Sequence, residues 1–123
     1  MTAHVWVSRA MMEAKLILLV YTDISQNDRA RASEGERCNL RGESVPADMC
    51  PKRIWLEPDE DRPIPDMFLA EGQPIVSARV AEILSRFDLG NGALYPVAEG
   101  LFQGDNTTPM AGAYFCWIFG ELR

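Results

Sequence analysis

At 123 residues and 47% hydrophobic side chains, the chain has the size and composition of one globular domain. Its net charge of −6 argues against nucleic acid as a direct partner, because phosphate contacts need clustered Lys and Arg. Three cysteines, Cys38, Cys50 and Cys116, are an odd number without a secretion signal, which points to free thiols and a cytoplasmic location.

Residues 1–14 have no clear pattern and are set aside as an uncertain leader, with Met11 and Met12 as alternative starts. The segment 15–123 is then expected to be a single domain. Lys15 to Thr22 (KLILLVYT) is apolar on both faces, as an internal strand covered on both sides would be. Its apolar core, Leu16 to Tyr21, follows Glu13 and Lys15 and is too short for a signal core or a membrane span. Asp23 to Glu43 is polar and mixed in charge, and the expectation is a long loop with one short helix. Pro46 and Pro51 bracket the next turn, and Ile54–Leu56 is a short strand. The run that follows, EPDEDRPIPD, sets Glu57, Asp59, Glu60, Asp61 and Asp66 against one Arg62, with prolines that exclude regular structure across most of it. Met67-Phe68-Leu69 is read as one apolar helical turn.

The clearest stretch is Pro74 to Val97. Ser77 is a good N-cap for a helix over Ala78–Asp88. Val76, Val80, Ile83, Leu84 and Phe87 fall on one face, and Glu82 stands four residues before Arg86 as a favourable ion pair on the other. Gly90 suits the C-cap, Asn91-Gly92 a turn, and Ala93–Val97 a strand whose Pro96 belongs at a sheet edge or bulge. Leu101–Gln103 is a further short strand, Gly104-Asp105-Asn106 a turn, and Ala113–Phe119 the most apolar strand. In that strand Phe115, Trp117 and Phe119 alternate with Tyr114, Cys116 and Ile118. The expected fold is α+β: a small mixed or antiparallel sheet with one main amphipathic helix, 78–88, on one face.

No enzyme signature emerges, and the chain is read as non-catalytic, without metal or cofactor. The one histidine, His4, and the three cysteines lack zinc-ligand spacing and contain no C-x-x-C pair. Asp48, Glu57, Asp66 and Asp88 have no motif linking them as acid and base. Gly90-Asn91-Gly92 follows a helix instead of preceding one, so it is no phosphate cradle. Trp55, Trp117 and Phe115 are read as core. Prolines interrupt the acidic run where a calcium loop needs alternating ligands and a turn glycine. A solvated loop is the plain reading of that run; the functional one is a stiffened partner contact through Glu57, Asp59, Glu60, Asp61 and Asp66.

With those pieces in place, VPADMCPKRIWLEPDED, IPDMF, PIVSARVAEILSRFDLG, ALYPV and YFCWIFGE resemble a bacterial immunity-protein family of polymorphic-toxin systems, formerly a domain of unknown function. The likeness covers residues 16–123. It implies a protein that binds and neutralises a toxin made by the same or neighbouring cells, with the cognate toxin as protein partner and no catalytic motif to carry over. The alternatives are a small interaction or regulatory domain without a toxin partner, and a metal-dependent enzyme using the acidic loop 57–66. Members of this family continue past the position of Gly120, so the chain is expected to be an N-terminal portion. Counting faces gives a matching expectation: one helix cannot cover two-sided strands, and an exposed face of strand 113–119 would drive self-association.

Overall fold

A computed structural model describes residues 19–60, 63–87 and 92–119. The leader and the segment 15–18 of the first expected strand lie outside that range, as do Asp61, Asp88, Gly90 and Asn91. In chain order the elements among the described residues are β1 (Val20–Thr22), α1 (Asp23–Asn27), α2 (Arg29–Leu40), a 3-10 turn (Ala47–Met49) and β2 (Arg53–Leu56). There follow β3 (Met67–Ala70), β4 (Gln73–Ser77), α3 (Ala78–Leu84), β5 (Ala93–Pro96), β6 (Gly100–Phe102) and β7 (Tyr114–Ile118). The class is α+β. The strands form two small sheets: a mixed one in the order β1-β2-β6, and an antiparallel one in the order β3-β4-β7-β5.

Period-two alternation splits the antiparallel sheet cleanly. Phe68, Ala70, Ile75, Cys116 and Ile118 point to an inner core shared with Val20, Ile54, Leu56 and Leu101 of the mixed sheet. Val76, Trp117 and Phe119 point the other way, beneath Ala81, Val80 and Leu84 of α3. Strand β7 is therefore covered above and below. Trp117 and Phe119 are each 4% exposed, and Cys116 and Ile118 are fully buried. The expected exposed face of strand 113–119 does not exist. The missing cover is the second sheet, which a face count based on one sheet omits. Trp55, read as core, is only half-buried: it stands on the outer side of the mixed sheet opposite Tyr21 and Phe102.

Three local expectations are corrected. The segment 23–43 is mostly helical. Thr22 caps α1 by accepting from Ser25 N (3.1 Å), and Asp28 caps α2 by accepting from Arg31 N (3.1 Å). The buried face of α2 is Ala32, Gly35 and Asn39, small and polar residues at helical spacing that carry no apolar stripe. The helix is held instead by side-chain hydrogen bonds. Asn39 donates to Trp117 O (3.2 Å) and accepts from Phe119 N (2.7 Å), completing the end of β7 as a strand would. Gln73 donates to Ala32 O (3.2 Å).

Met67–Leu69 is strand, not helical turn. It pairs with β4 in the register Met67↔Val76 to Ala70↔Gln73. The two residues between, Glu71 (φ 47°) and Gly72 (φ 86°), are both left-handed, as a tight hairpin requires. The Glu71 carboxylate accepts from Thr22 N at 2.7 Å and so ties this hairpin to the mixed sheet.

The helix at Ser77 starts as expected, with Ser77 Oγ accepting from Val80 N at 3.3 Å and Arg86 reaching Glu82 at 3.0 Å. It is shorter than expected, ending at Leu84, and its apolar stripe is only partly used: Ile83 is 45% and Phe87 66% exposed. Pro96 does lie on an edge strand, since among the described residues β5 ends the order β3-β4-β7-β5.

Candidate functional site

Strands β2 and β6 are parallel neighbours, with Ile54 opposite Leu101. Parallel strands leave their sheet at the same end. The chain beyond β2 and the chain beyond β6 therefore emerge side by side, and they enclose an open cleft of about 640 Å³. Pro58, Asp59 and Glu60 form one wall and Gln103, Gly104 and Asp105 the other, with Leu56 and Met110 also lining it.

The first wall is a tight turn. Glu60 N donates to Glu57 O at 3.1 Å, Pro58 takes the position that wants a fixed φ, and Asp59 is left-handed (φ 67°). Glu57 anchors it at the root. Its amide donates to Leu19 O (2.9 Å), and its carboxylate accepts from the Tyr21 hydroxyl. That hydrogen bond, aided by burial, pushes the Tyr21 phenol pKa up.

The second wall is built around Asp105. Its carboxylate accepts from Thr107 N (3.0 Å), Thr108 N (2.9 Å) and Thr108 Oγ1 (2.5 Å). These donors hold the Asp105 pKa well below the usual aspartate range, the Thr108 hydroxyl contributing most. Arg53 braces the same loop from β2. Its guanidinium donates to Asn106 Oδ1 (2.8 Å) and Asn106 O (2.5 Å), pairs with Glu99 (3.1 Å), and lies 3.6 Å from the centre of the Phe102 ring. The two walls touch at Gly104, where an added Cβ would lie 2.5 Å from the Cα of Pro58.

Of the five acidic residues expected to form a contact, the fold brings Asp59 and Glu60 to the cleft and leaves Glu57 outside its lining, at the root of the turn with its carboxylate on Tyr21. Asp61 lies outside the described residues. Asp66 is elsewhere: at the start of β3, its carboxylate accepts from Ser77 Oγ (2.8 Å) and its carbonyl from Ser77 N (2.8 Å). It braces the entry to α3 and takes no part in the cleft. Asp105 was missed. Its sequence signal, Gly104-Asp105-Asn106, reads only as a turn, and nothing local shows which loop it faces.

Chemically the cleft offers Asp59, Glu60 and Asp105 around apolar contacts from Leu56 and Met110. Among the described residues no group of three His, Cys, Asp or Glu side chains could hold a metal ion. The arrangement suits a cationic side chain, whose methylenes can rest on apolar surface while its charged head faces carboxylates. Among the described residues no helix is long and apolar enough to cross a membrane. No protein family, curated protein or solved structure matches the chain.

Proposed function

We propose that this chain is a non-catalytic binding protein of the immunity type, acting in the cytoplasm, whose acidic cleft receives a basic segment of a toxin and neutralises it. The observation that carries the reading is the close pairing of the 57–60 turn with the 103–108 loop, which sets Asp59, Glu60 and Asp105 around one opening. A loop already ordered by proline and by contact with its neighbour loses little freedom on binding. Clustered charge of one sign attracts an oppositely charged partner and speeds encounter.

The test begins with toxins encoded beside this chain. A neighbouring toxin whose lethality is relieved by co-expression is the partner, and its association rate with the purified chain is measured at low and high salt. Changing Asp59, Glu60 and Asp61 together to Ser should slow association at low salt and flatten its salt dependence. A toxin bound and neutralised at an unchanged rate removes the cleft from the interface. If no neighbouring toxin is relieved, the immunity reading fails, and an interaction domain without a toxin partner takes its place.

A further inference from the structure

The outer face of the mixed sheet carries a row of rings that the cleft does not use. Val20, Ile54, Leu56 and Leu101 turn into the core, and Tyr21, Trp55 and Phe102 turn out. The strand register sets these three rings in line across β1, β2 and β6, each of them half-buried. At one end of the row a cation is already in place. Arg53 lies 3.6 Å from the Phe102 ring centre while its guanidinium pairs with Glu99 at 3.1 Å. The other end repeats the same parts. The Tyr21 and Trp55 rings stand 6.2 Å apart, tilted 32° from each other. Glu57, two residues beyond Trp55, accepts from the Tyr21 hydroxyl through Oε2, and Oε1 has no hydrogen-bond partner among the described residues. Among the described residues no Lys or Arg pairs with Glu57 or stands over either ring.

We propose that the Tyr21–Trp55 ring pair and Glu57 form a binding site for an arginine side chain of the basic segment that enters the cleft. The site rests on the sheet geometry; its protein partner rests on the reading of the cleft. Three features select this occupant. A cation within about 6 Å of a ring centre is attracted to the ring face, and two rings this close can share one. The open Glu57 oxygen supplies the counter-charge, as Glu99 does for Arg53. A guanidinium is planar and forked, so it can lie on a ring and hydrogen-bond a carboxylate at once, whereas a lysine ammonium is a point charge. Charge and continuity fix the partner. The chain's net charge of −6 favours a basic one. Glu57 is the root of the turn whose Asp59 and Glu60 line the cleft, so site and cleft flank one turn, within reach of one extended segment.

The probe is nona-arginine, compared with nona-lysine of equal charge, titrated into the isotope-labelled whole chain at low salt. The indole N–H signal of Trp55 is identified by its absence in Trp55→Tyr. It should shift on titration, and further with nona-arginine than with nona-lysine. Trp55→Leu should weaken nona-arginine binding about 2- to 5-fold, the range of an exposed cation–ring contact, while Trp55→Tyr keeps most of it. Glu57→Gln should weaken it more than Glu82→Gln, which removes the same charge from an exposed position on α3. If Trp55→Leu does not fold, the Trp55 indole shift in the unmodified chain decides. The variant with Asp59, Glu60 and Asp61 changed to Ser reports on the cleft separately. Weaker binding there, beside an unmoved Trp55 signal and unchanged affinity in Trp55→Leu, would overturn the arginine site and leave the cleft standing. A moved Trp55 signal with unchanged binding in the Ser variant would keep the site and remove the cleft. An equal response to the two peptides would overturn the choice of arginine.

Discussion

Gly104 meets Pro58 so closely that a methyl group on its Cα would stand 2.5 Å from the proline Cα and 2.9 Å from its nitrogen. Both facing atoms are backbone, so neither side can yield without moving a loop. Gly104→Ala should therefore cost about 1–3 kcal/mol, the usual range for overpacking, and separate the two cleft walls. Urea unfolding measures the first effect. The second should appear as slower association with a cognate toxin, beyond the loss that Gln103→Ala causes.

Asn39 is a polar pin. Buried to 1% exposure, it serves both a carbonyl and an amide at the end of β7. Replacement by Ala leaves both backbone groups without that partner in a dry setting, and the expected loss is about 2–3 kcal/mol. The denaturation midpoint should fall, and amide exchange should accelerate at Phe119 more than at Ile75.

Asp105 makes stability pH-dependent with a defined sign. Its pKa in the fold lies below the ordinary value of 3.8, so its contribution is fully present above that value and is lost as pH falls through the folded pKa. Compared with Asp105→Asn, the native chain should hold a constant advantage from about pH 8 down to about pH 5, narrowing by about pH 3. An advantage that instead grows on acidification would contradict the hydrogen-bond assignment.

Phe87 and Phe68 provide opposite controls. Phe87 is 66% exposed, whereas Phe68 is fully buried between the two sheets. Phe87→Ala should shift unfolding free energy by no more than about 0.5 kcal/mol. Phe68→Ala should cost about 3–5 kcal/mol through lost burial and a cavity. Similar costs at the two positions would mean that the outer side of α3 is packed.

Wherever one residue and its near neighbours carry the signal, the sequence alone determined the structure. The Ser77 cap, the Glu82–Arg86 pair, the edge position of Pro96 and the two apolar faces of β7 all follow from local spacing. Helix α2 escaped because its buried face, Ala32, Gly35 and Asn39, is small and polar. It is fastened by hydrogen bonds to residues far along the chain, which hydrophobic periodicity does not register. The hairpin turn Glu71-Gly72 escaped because Glu is an unusual residue for a left-handed position. The acidic run was legible as charge, but its partner wall was not. Only the parallel pairing of β2 with β6 sets Pro58 against Gly104, and only the packing of the loop before the 3-10 turn against β5 sets Val45 O over the Tyr95 hydroxyl. Both are contacts between distant segments, decided by how two sheets bury their facing sides, and a pattern read over a few residues carries no record of that choice.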